Sequence, residues 1–485
     1  MYLGIDIGTS SVKTILTDEA GNVVAAQSAP LAVSRPRDGW SEQDPDGWVD
    51  AAEQSIIALP QALRSDVKAI GLSGQMHGAT LLDDRDKPLR PAILWNDNRS
   101  HAECAEIESK EPSLRAITGN KAMPGFTAPK LAWVRKHETD LFSKTRKVLL
   151  PKDYVRLVWT GDYATDLSDA SGTLWLDVGA RAWSDAALAV TGLSKAQMPT
   201  LHEGRHVTGE LSASAAARLG LPRIPVVAGA GDQAAGAVGA GVVEPGEASL
   251  ALGTSGVLFN VTHGFSPNTE EAVHAFCHAL PGRWHQMAVH LSAASAVDAV
   301  ARMTGFDDPA SAYAAAEAHG SSDNVLFLPY LTGERTPHDD PHARGAFFGL
   351  TPETEPAALV HAALEGVAFA FADGRDALVR AGSSLDTATV VGGGARSMYW
   401  GQILAAALGM TLIYREGAET GPAEGAARLA RLGVSGEDIR TVCAPGAVRS
   451  VIEPDVSLSN QYKERIAHWR ALYHATKNIV QEASS

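Results

Sequence analysis

Asp232 is the only ionisable side chain between Arg223 and Glu244, set in the run VVAGAGDQAAGAVGAG. Burying an unpaired carboxylate is expensive, so a lone aspartate there needs a role. Three roles suit it: a helix N-cap, part of a nucleotide-binding loop, or a base aimed into a cleft. GAGDQA (229–234) formally matches the dinucleotide pattern G-x-G-x-x-A, after the apolar strand IPVVA and before an alanine-rich helix. In that reading Asp232 falls where a pyrophosphate would lie, and a carboxylate repels phosphates unless a cation intervenes. A base at a helix start suits the residue types better, and capping and catalysis are compatible.

A second acid, Asp6, ends a strand in DIGTSSVK (6–13). Gly8, Thr9 and Ser10 offer N–H groups and hydroxyls to a phosphate, and Asp6 is suited to hold Mg2+ through water. The same triplet recurs as Gly253-Thr254-Ser255, and two facing loops can grip one polyphosphate; an ordinary hairpin turn uses the same residues. GLSGQMHGATLL (71–82) places Gln75, Met76 and His77 at a strand end, and ILWNDNR (93–99) sets Trp95 beside hydrogen-bonding groups. That is the pattern of a polyol site, with core packing as the plain alternative for Met76, His77 and Trp95. VVGGGARS (390–397) is a tight strand-to-helix turn whose bare backbone suits a flat nucleotide base. In FLPYLTGERTPHDDPHARGAFFGL (327–350), Glu334, Arg335 and Asp339 are expected to form a surface ion network. The sequence has no His or Cys metal cluster, no G-x-S-x-G elbow and no GxxxxGK[ST] loop.

These groups need elements to position them. YLGIDI, VKTILT and VVAAQS, separated by turns, predict an antiparallel meander. A helix is expected from about Asp46 to Leu63 and a buried strand at 67–74, followed by alternating helices and strands to about 245, which is an α/β pattern. GIDIGTSSVKTIL is echoed by LALGTSGVLFNV at 250–261, with Ala251 where the first copy has Asp6. The echo predicts two domains of related topology around a cleft, residues 1–245 and 246–485. The polar tail from about Asp455 is expected to be a helical appendage on the surface.

With 41 basic and 56 acidic residues the net charge is −15, which argues against nucleic acid or an anionic membrane as partner. Cys104, Cys277 and Cys443 lie far apart and read as reduced thiols. The start MYLGIDIGTSS lacks the form of a signal peptide, and no apolar run reaches the length of a membrane span, so a cytoplasmic setting is expected.

Taken together, GIDIGTSSVK, GQMHGATLLD, ILWNDNR, MPGFTAPKLAWVRKHE, PKDYVRL, DLSDASGTLWLD, GAGDQAAGAVG, LGTSGV, FCHALPGRWH, FLPYLTGERTPH, FFGL with ALVHAALEGVAFA, and GGGARS resemble the FGGY carbohydrate kinases of the actin-like ATPase superfamily. The resemblance spans nearly the whole chain. It implies two actin-like, ribonuclease H-like α/β domains flanking a central catalytic cleft, the N-terminal one carrying the sugar and Mg2+ sites and the C-terminal one the nucleotide site. It implies ATP-dependent phosphorylation of D-xylulose at its 5-hydroxyl, with another pentulose, a pentitol or gluconate as alternative substrates. Asp232 then matches the general base and Asp6 the acid that organises Mg2+. Thr9, Ser10, Lys13, Gly253, Thr254 and Ser255 line the phosphates, and Gly393, Gly394 and Ala395 the adenosine. Met76 and His77 match sugar contacts, with Gln75, Trp95 and Gln233 as neighbours. Ser292 and Ala299 stand where family members acting on D-xylulose carry tryptophans. ATP, Mg2+ and a small sugar are the expected partners, and the plan allows a homodimer. From other classes, a nicotinamide-dependent dehydrogenase and a non-catalytic sugar sensor remain as alternatives.

Overall fold

The computed structural model describes residues 1–417 and 421–483. Its frame is a pair of seven-stranded sheets. The first begins with β1 (Tyr2–Ile7), β2 (Ser11–Thr17) and β3 (Val23–Pro30), the expected meander. Asp18 closes its second turn by accepting from the Ala20 and Asn22 backbone N–H groups at 2.9 and 2.8 Å. β4 (Ala69–Gly74) lies parallel to β1, and β5 (Val207–Glu210), β6 (Pro225–Val227) and the short β7 (Ala230–Gly231) complete the sheet. Strand order is β5-β6-β4-β1-β2-β3, with β7 also paired to β4.

The second sheet repeats the plan. β8 (Ala248–Leu252) and β9 (Gly256–Thr262) are antiparallel, as β1 and β2 are. β10 (His274–Cys277) and β11 (Trp284–His290) extend the meander. β12 (Thr387–Val391) and β13 (Thr411–Arg415) add parallel neighbours, and β14 (Val448–Ile452) is an antiparallel edge. The order β10-β11-β9-β8-β12-β13-β14 thus mirrors the first sheet, and the internal echo marks matching hairpins in two related sheets.

Helices cover both sheets. α1 (Pro45–Ile57) starts at the Asp44 cap, whose carboxylate accepts from the Asp46 N–H, and has proline at its first position. It stops at Ile57 rather than running on to Leu63. Pro60 has no N–H to continue the ladder and opens a separate turn at Gln61–Arg64. α2 (Thr127–His137), α3 (Pro151–Thr160) and α4 (Leu167–Ser171) follow in the first half of the chain, and α5 (Asp232–Ala240) leads to the second sheet. There α6 (Ala294–Met303), α7 (Pro356–Arg380) and α8 (Met398–Leu408) pack against it. α7 is long and apolar enough to cross a membrane, but it is the buried centre of the second core, with Val360, Leu364, Val367 and Phe371 at 0% exposure.

α9 (Pro422–Ser435) returns to the first sheet although it follows the second in sequence. Only glycines allow the approach: a Cβ on Gly4 would lie 2.0 Å from Ala423 O, and one on Gly71 1.8 Å from Ala426 O. α9 meets α5 the same way, through Gly425 against Ala235. The last helix, α10 (Val456–Ala483), corrects the expected surface appendage. Tyr462, Ile466, Trp469 and Tyr473 are buried in the second core, at a 4-3-4 spacing that makes one apolar stripe on an otherwise polar helix.

Candidate active site

Sheet pairing brings the two singled-out acids to one place. Asp6 on β1 lies opposite Lys13 on β2 and Ser73 on β4, and Ser73 in turn lies beside Ala230 on β7. Asp232 follows β7 directly as the first residue of α5, so it reaches the strand ends where Asp6 sits. Burial pushes the Asp6 carboxyl up to about 6, against the opposing pull of the Ser73 hydroxyl and the Lys13 ammonium. Burial, and then the Asp6 charge, push Asp232 up to about 7, with the Gln233 backbone and side chain opposing. Asp232 Oδ1 accepts from the Gln233 N–H at 2.7 Å. The N-cap of α5 is Gly231, so Asp232 stands one residue inside the helix. Asp6 Oδ1 is buried with no hydrogen-bond partner, an orphaned acceptor that a hydrated hard cation would satisfy.

Each Gly-Thr-Ser loop is closed by its glycine N–H, with different spans: Gly8 N–H donates to Ser11 O at 3.1 Å, and Gly253 N–H to Ser255 O, one residue nearer, at 3.1 Å. The hydroxyl-bearing residues Ser10, Thr254 and Ser255 are exposed, while Thr9 and Lys13 are half-buried. The second loop is clipped to the start of α6: Ala294 donates to Gly253 O, and the Ala293 N–H and Ser295 hydroxyl donate to Thr254 O. Beside it runs the glycine turn after β12. Gly392 (φ +90°) and Gly394 are pressed against Leu252, whereas a Cβ on Gly393 would meet nothing within 4 Å. The side chain of Ala395 lies outside the described residues. A cavity of about 220 Å³ opens beside Gly392, with Asp232, Gln233 and Gly236 of α5 facing Ala251, Phe259 and Gly392 of the second half.

On the expected sugar side the residues divide. Gln75 is buried, and its amide is occupied by the first Gly-Thr-Ser loop and Gln43: Oε1 accepts from Thr9 Oγ1 at 3.1 Å, and Nε2 donates to Gly8 O at 3.3 Å and Gln43 Oε1 at 2.7 Å. Gln43 donates to Thr9 O at 2.7 Å and accepts from Trp48 Nε1 at 3.0 Å, a positioning role that the loop sequence GWSEQDPDGW did not signal. Trp95 is 40% exposed and donates from Nε1 to Thr9 Oγ1 at 3.0 Å, so one threonine hydroxyl links the indole to the first Gly-Thr-Ser loop.

Met76 is buried with its thioether against Gly231. His77 has φ +71°, and its Nδ1–H donates to Gly172 O at 2.6 Å, leaving Nε2 as the acceptor. Burial, then the Lys130 charge, hold the ring down to about 3, so the imidazole is neutral at physiological pH. Lys130, fully buried, donates to His77 O at 2.9 Å and Gly125 O at 2.8 Å and fixes this unusual backbone.

The second half adds a wall that sequence reasoning passed over. Phe126 meets His77 edge-on at 4.9 Å, and His274 and Phe276 of β10 pack on Phe126 at 5.4 and 6.2 Å. Arg335 reaches His274 Nε2 at 3.4 Å. Its neighbour Glu334 is no surface group: it is 2% exposed, accepts from the Leu291 N–H at 3.0 Å and faces His290. Ser292, with its hydroxyl 3.4 Å from that of Thr332, and Ala299 are both buried behind the second loop.

The dinucleotide reading of GAGDQA does not survive. Gly229 (φ +79°) would place a Cβ 1.8 Å from Leu72 O, and Gly231 one 2.9 Å from Met76, so both glycines pack on protein rather than open to a ligand.

Comparison with known proteins agrees with this arrangement. The models for the N-terminal and C-terminal domains of the FGGY family of carbohydrate kinases match residues 1–239 and 248–433. The chain is 52% identical over 476 residues to a protein named xylulose kinase from Escherichia coli K12, covering 98% of each. A crystal structure described as a xyloylose kinase from Brucella ovis superimposes with TM-score 0.95 at 50% identity, covering 99% of both chains. One described as xylulose kinase from Rhodospirillum rubrum gives TM-score 0.89 at 28% identity over 99% of both. On these matches, and with two related sheets around a pair of half-buried aspartates, the chain belongs to the FGGY family of carbohydrate kinases.

Proposed function

We propose that the protein transfers the γ-phosphoryl group of ATP to the 5-hydroxyl of D-xylulose, with Asp232 as general base. The observation that carries the base assignment is Asp232 itself: a carboxyl raised to about 7, on the wall of the cavity it shares with Gly392. A base titrating near neutral pH is matched to accepting a hydroxyl proton as the new O–P bond forms. The relatives named xylulose kinase supply the choice of sugar.

Phosphoryl transfer depends on positioning and charge stabilisation. In this reading Thr9, Ser10 and Lys13 hold the phosphates from one side and Gly253, Thr254 and Ser255 from the other. Gly393, Gly394 and the Ala395 backbone border the adenosine. Met76, the neutral His77, Trp95 and Gln233 receive the sugar, and Gln75 acts through Thr9. Asp6, with its orphaned oxygen, would hold Mg2+ through water, and the bound ion would neutralise phosphate charge. We take residues near 245 as the division between the sugar and nucleotide halves. We place the reaction in the cytoplasm, where Cys104, Cys277 and Cys443 remain free thiols.

ADP release measured across ketopentoses, pentitols and gluconate tests the substrate, and D-xylulose should give the highest kcat/KM. A preference for gluconate or a pentitol would overturn the choice of sugar. Asp232→Asn should lower kcat by at least about 10²-fold while leaving D-xylulose affinity intact, and near-normal turnover would remove Asp232 as base.

A further inference from the structure

Behind the Asp232 loop lie five charged side chains without solvent contact: Lys152, Asp153 and Arg156 on α3, and Asp166 and Asp169 at the start of α4. Lys152 Nζ lies 2.7 Å from Asp153 Oδ1, 2.8 Å from Asp166 Oδ1 and 3.0 Å from Asp169 Oδ2. Arg156 pairs with Asp153 at 2.7 Å and donates to the carbonyls of Ala164, Val227 and Ala228. Buried ion pairs are weak devices for stability, because apolar side chains of similar volume often serve as well. What distinguishes this group is where its hydrogen bonds end.

Asp166 caps α4. Its Oδ2 accepts from the Ser168 and Asp169 backbone N–H groups at 2.7 and 3.1 Å and from the Ser168 hydroxyl. With its proton committed to Asp166, Ser168 Oγ acts as an acceptor, and the donor it receives is the Gly231 N–H at 3.2 Å. Gly231 is the N-cap of α5 and immediately precedes Asp232. Arg156 meanwhile holds the carbonyls of Val227 and Ala228, the segment that leads into the same turn. The strand that carries Asp232 is therefore gripped at both ends of residues 227–231 by one buried ionic group. Gly172, just beyond α4, accepts from His77, so the same short helix also reaches the expected sugar contact.

We propose that Ser168, fixed by the Lys152–Asp166 pair, is a positioning residue that holds Gly231 and thereby sets the place of Asp232 against the sugar hydroxyl. This rests on Asp232 being the base. Displacing a reacting group slightly costs rate more than binding. Ser168→Ala should therefore lower kcat for D-xylulose about tenfold, leave its KM within about twofold, and speed deuterium exchange at the Gly231 amide. Ser171 supplies the control. It lies on the same helix but accepts from the Cys277 N–H at 3.0 Å, away from α5. Ser171→Ala should leave the Gly231 amide protected and kcat within about twofold of wild type.

Wild-type kcat in Ser168→Ala would overturn the proposal, as would an equal fall in Ser171→Ala, which would mean general loosening of α4. If Ser168→Ala does not fold, Ser168→Cys, a weaker acceptor, carries the test: intermediate kcat supports the role and unchanged kcat overturns it. Asp232→Asn assayed alongside separates the two readings, since turnover in that variant would remove the base assignment whatever Ser168 does.

Discussion

Asp6 and Asp232 sit across β4 from each other, and the Asp6 charge adds to burial in raising the Asp232 carboxyl to about 7. As the proposed base Asp232 works as the carboxylate, so kcat/KM of the free enzyme should fall as pH drops below about 7. Stability should move the other way. Asp232 has a folded pKa above its ordinary value of 3.8, so between about 4 and 7 the folded state binds more protons than the unfolded one. Its contribution to stability is fully present below that window and is lost as pH rises through it. An asparagine in its place carries no such penalty, so Asp232→Asn should raise Tm relative to wild type at pH 8 and much less at pH 4, read by thermal melts without ATP or Mg2+. An equal Tm difference at both pH values would count against an upward-shifted carboxyl. Retaining a site that is less stable in its working ionisation state is the ordinary compromise of activity with stability.

At the scale of elements, the hairpins were legible because strand alternation, Gly-Thr-Ser turns and the internal echo are local in sequence. α10 was not, because composition hides a one-sided stripe. Tyr462, Ile466, Trp469 and Tyr473 share a face among residues that are mostly polar. Trp469 is fully buried, and its Nε1 donates to Phe327 O at 2.7 Å, while Tyr473 donates to Asp340 Oδ2 at 2.9 Å. The helix thus anchors the 327–350 segment that carries Glu334 and Arg335. Trp469→Ala should cost about 3–5 kcal/mol in chemical denaturation, as a buried aromatic truncation. A change below about 1 kcal/mol would restore the picture of a surface appendage.

For the whole molecule, α9 is the element that ties the halves together. It leaves the second sheet, crosses α5 at Gly425 and lies on β1 and β4 over Gly4 and Gly71. β1 carries Asp6 and α5 begins with Asp232, so α9 packs on both elements that carry these acids. Gly71→Ala would drive a Cβ into the Ala426 carbonyl at 1.8 Å, with backbone on both sides and no flexible side chain to yield. Its expected cost is about 3 kcal/mol or more, with kcat reduced because α9 must shift from the strand beside Ser73. Unaltered unfolding and turnover in that variant would show that the crossing is loose.

The sequence by itself determined the family and the two-fold repeat, and it singled out Asp6 and Asp232. Phosphate and proton chemistry require glycines, hydroxyls and carboxylates at strand ends, and such residues stand within a few positions of one another. Only the tertiary structure decided that the Gln75 amide serves Thr9, that Glu334 is buried, and that β10 lends His274 and Phe276 to the wall around His77. It also decided that Lys152, about eighty residues before Asp232, stands behind its loop. These outcomes depend on which face of each element turns inward and which distant strand it meets, and packing settles that among residues far apart in the chain.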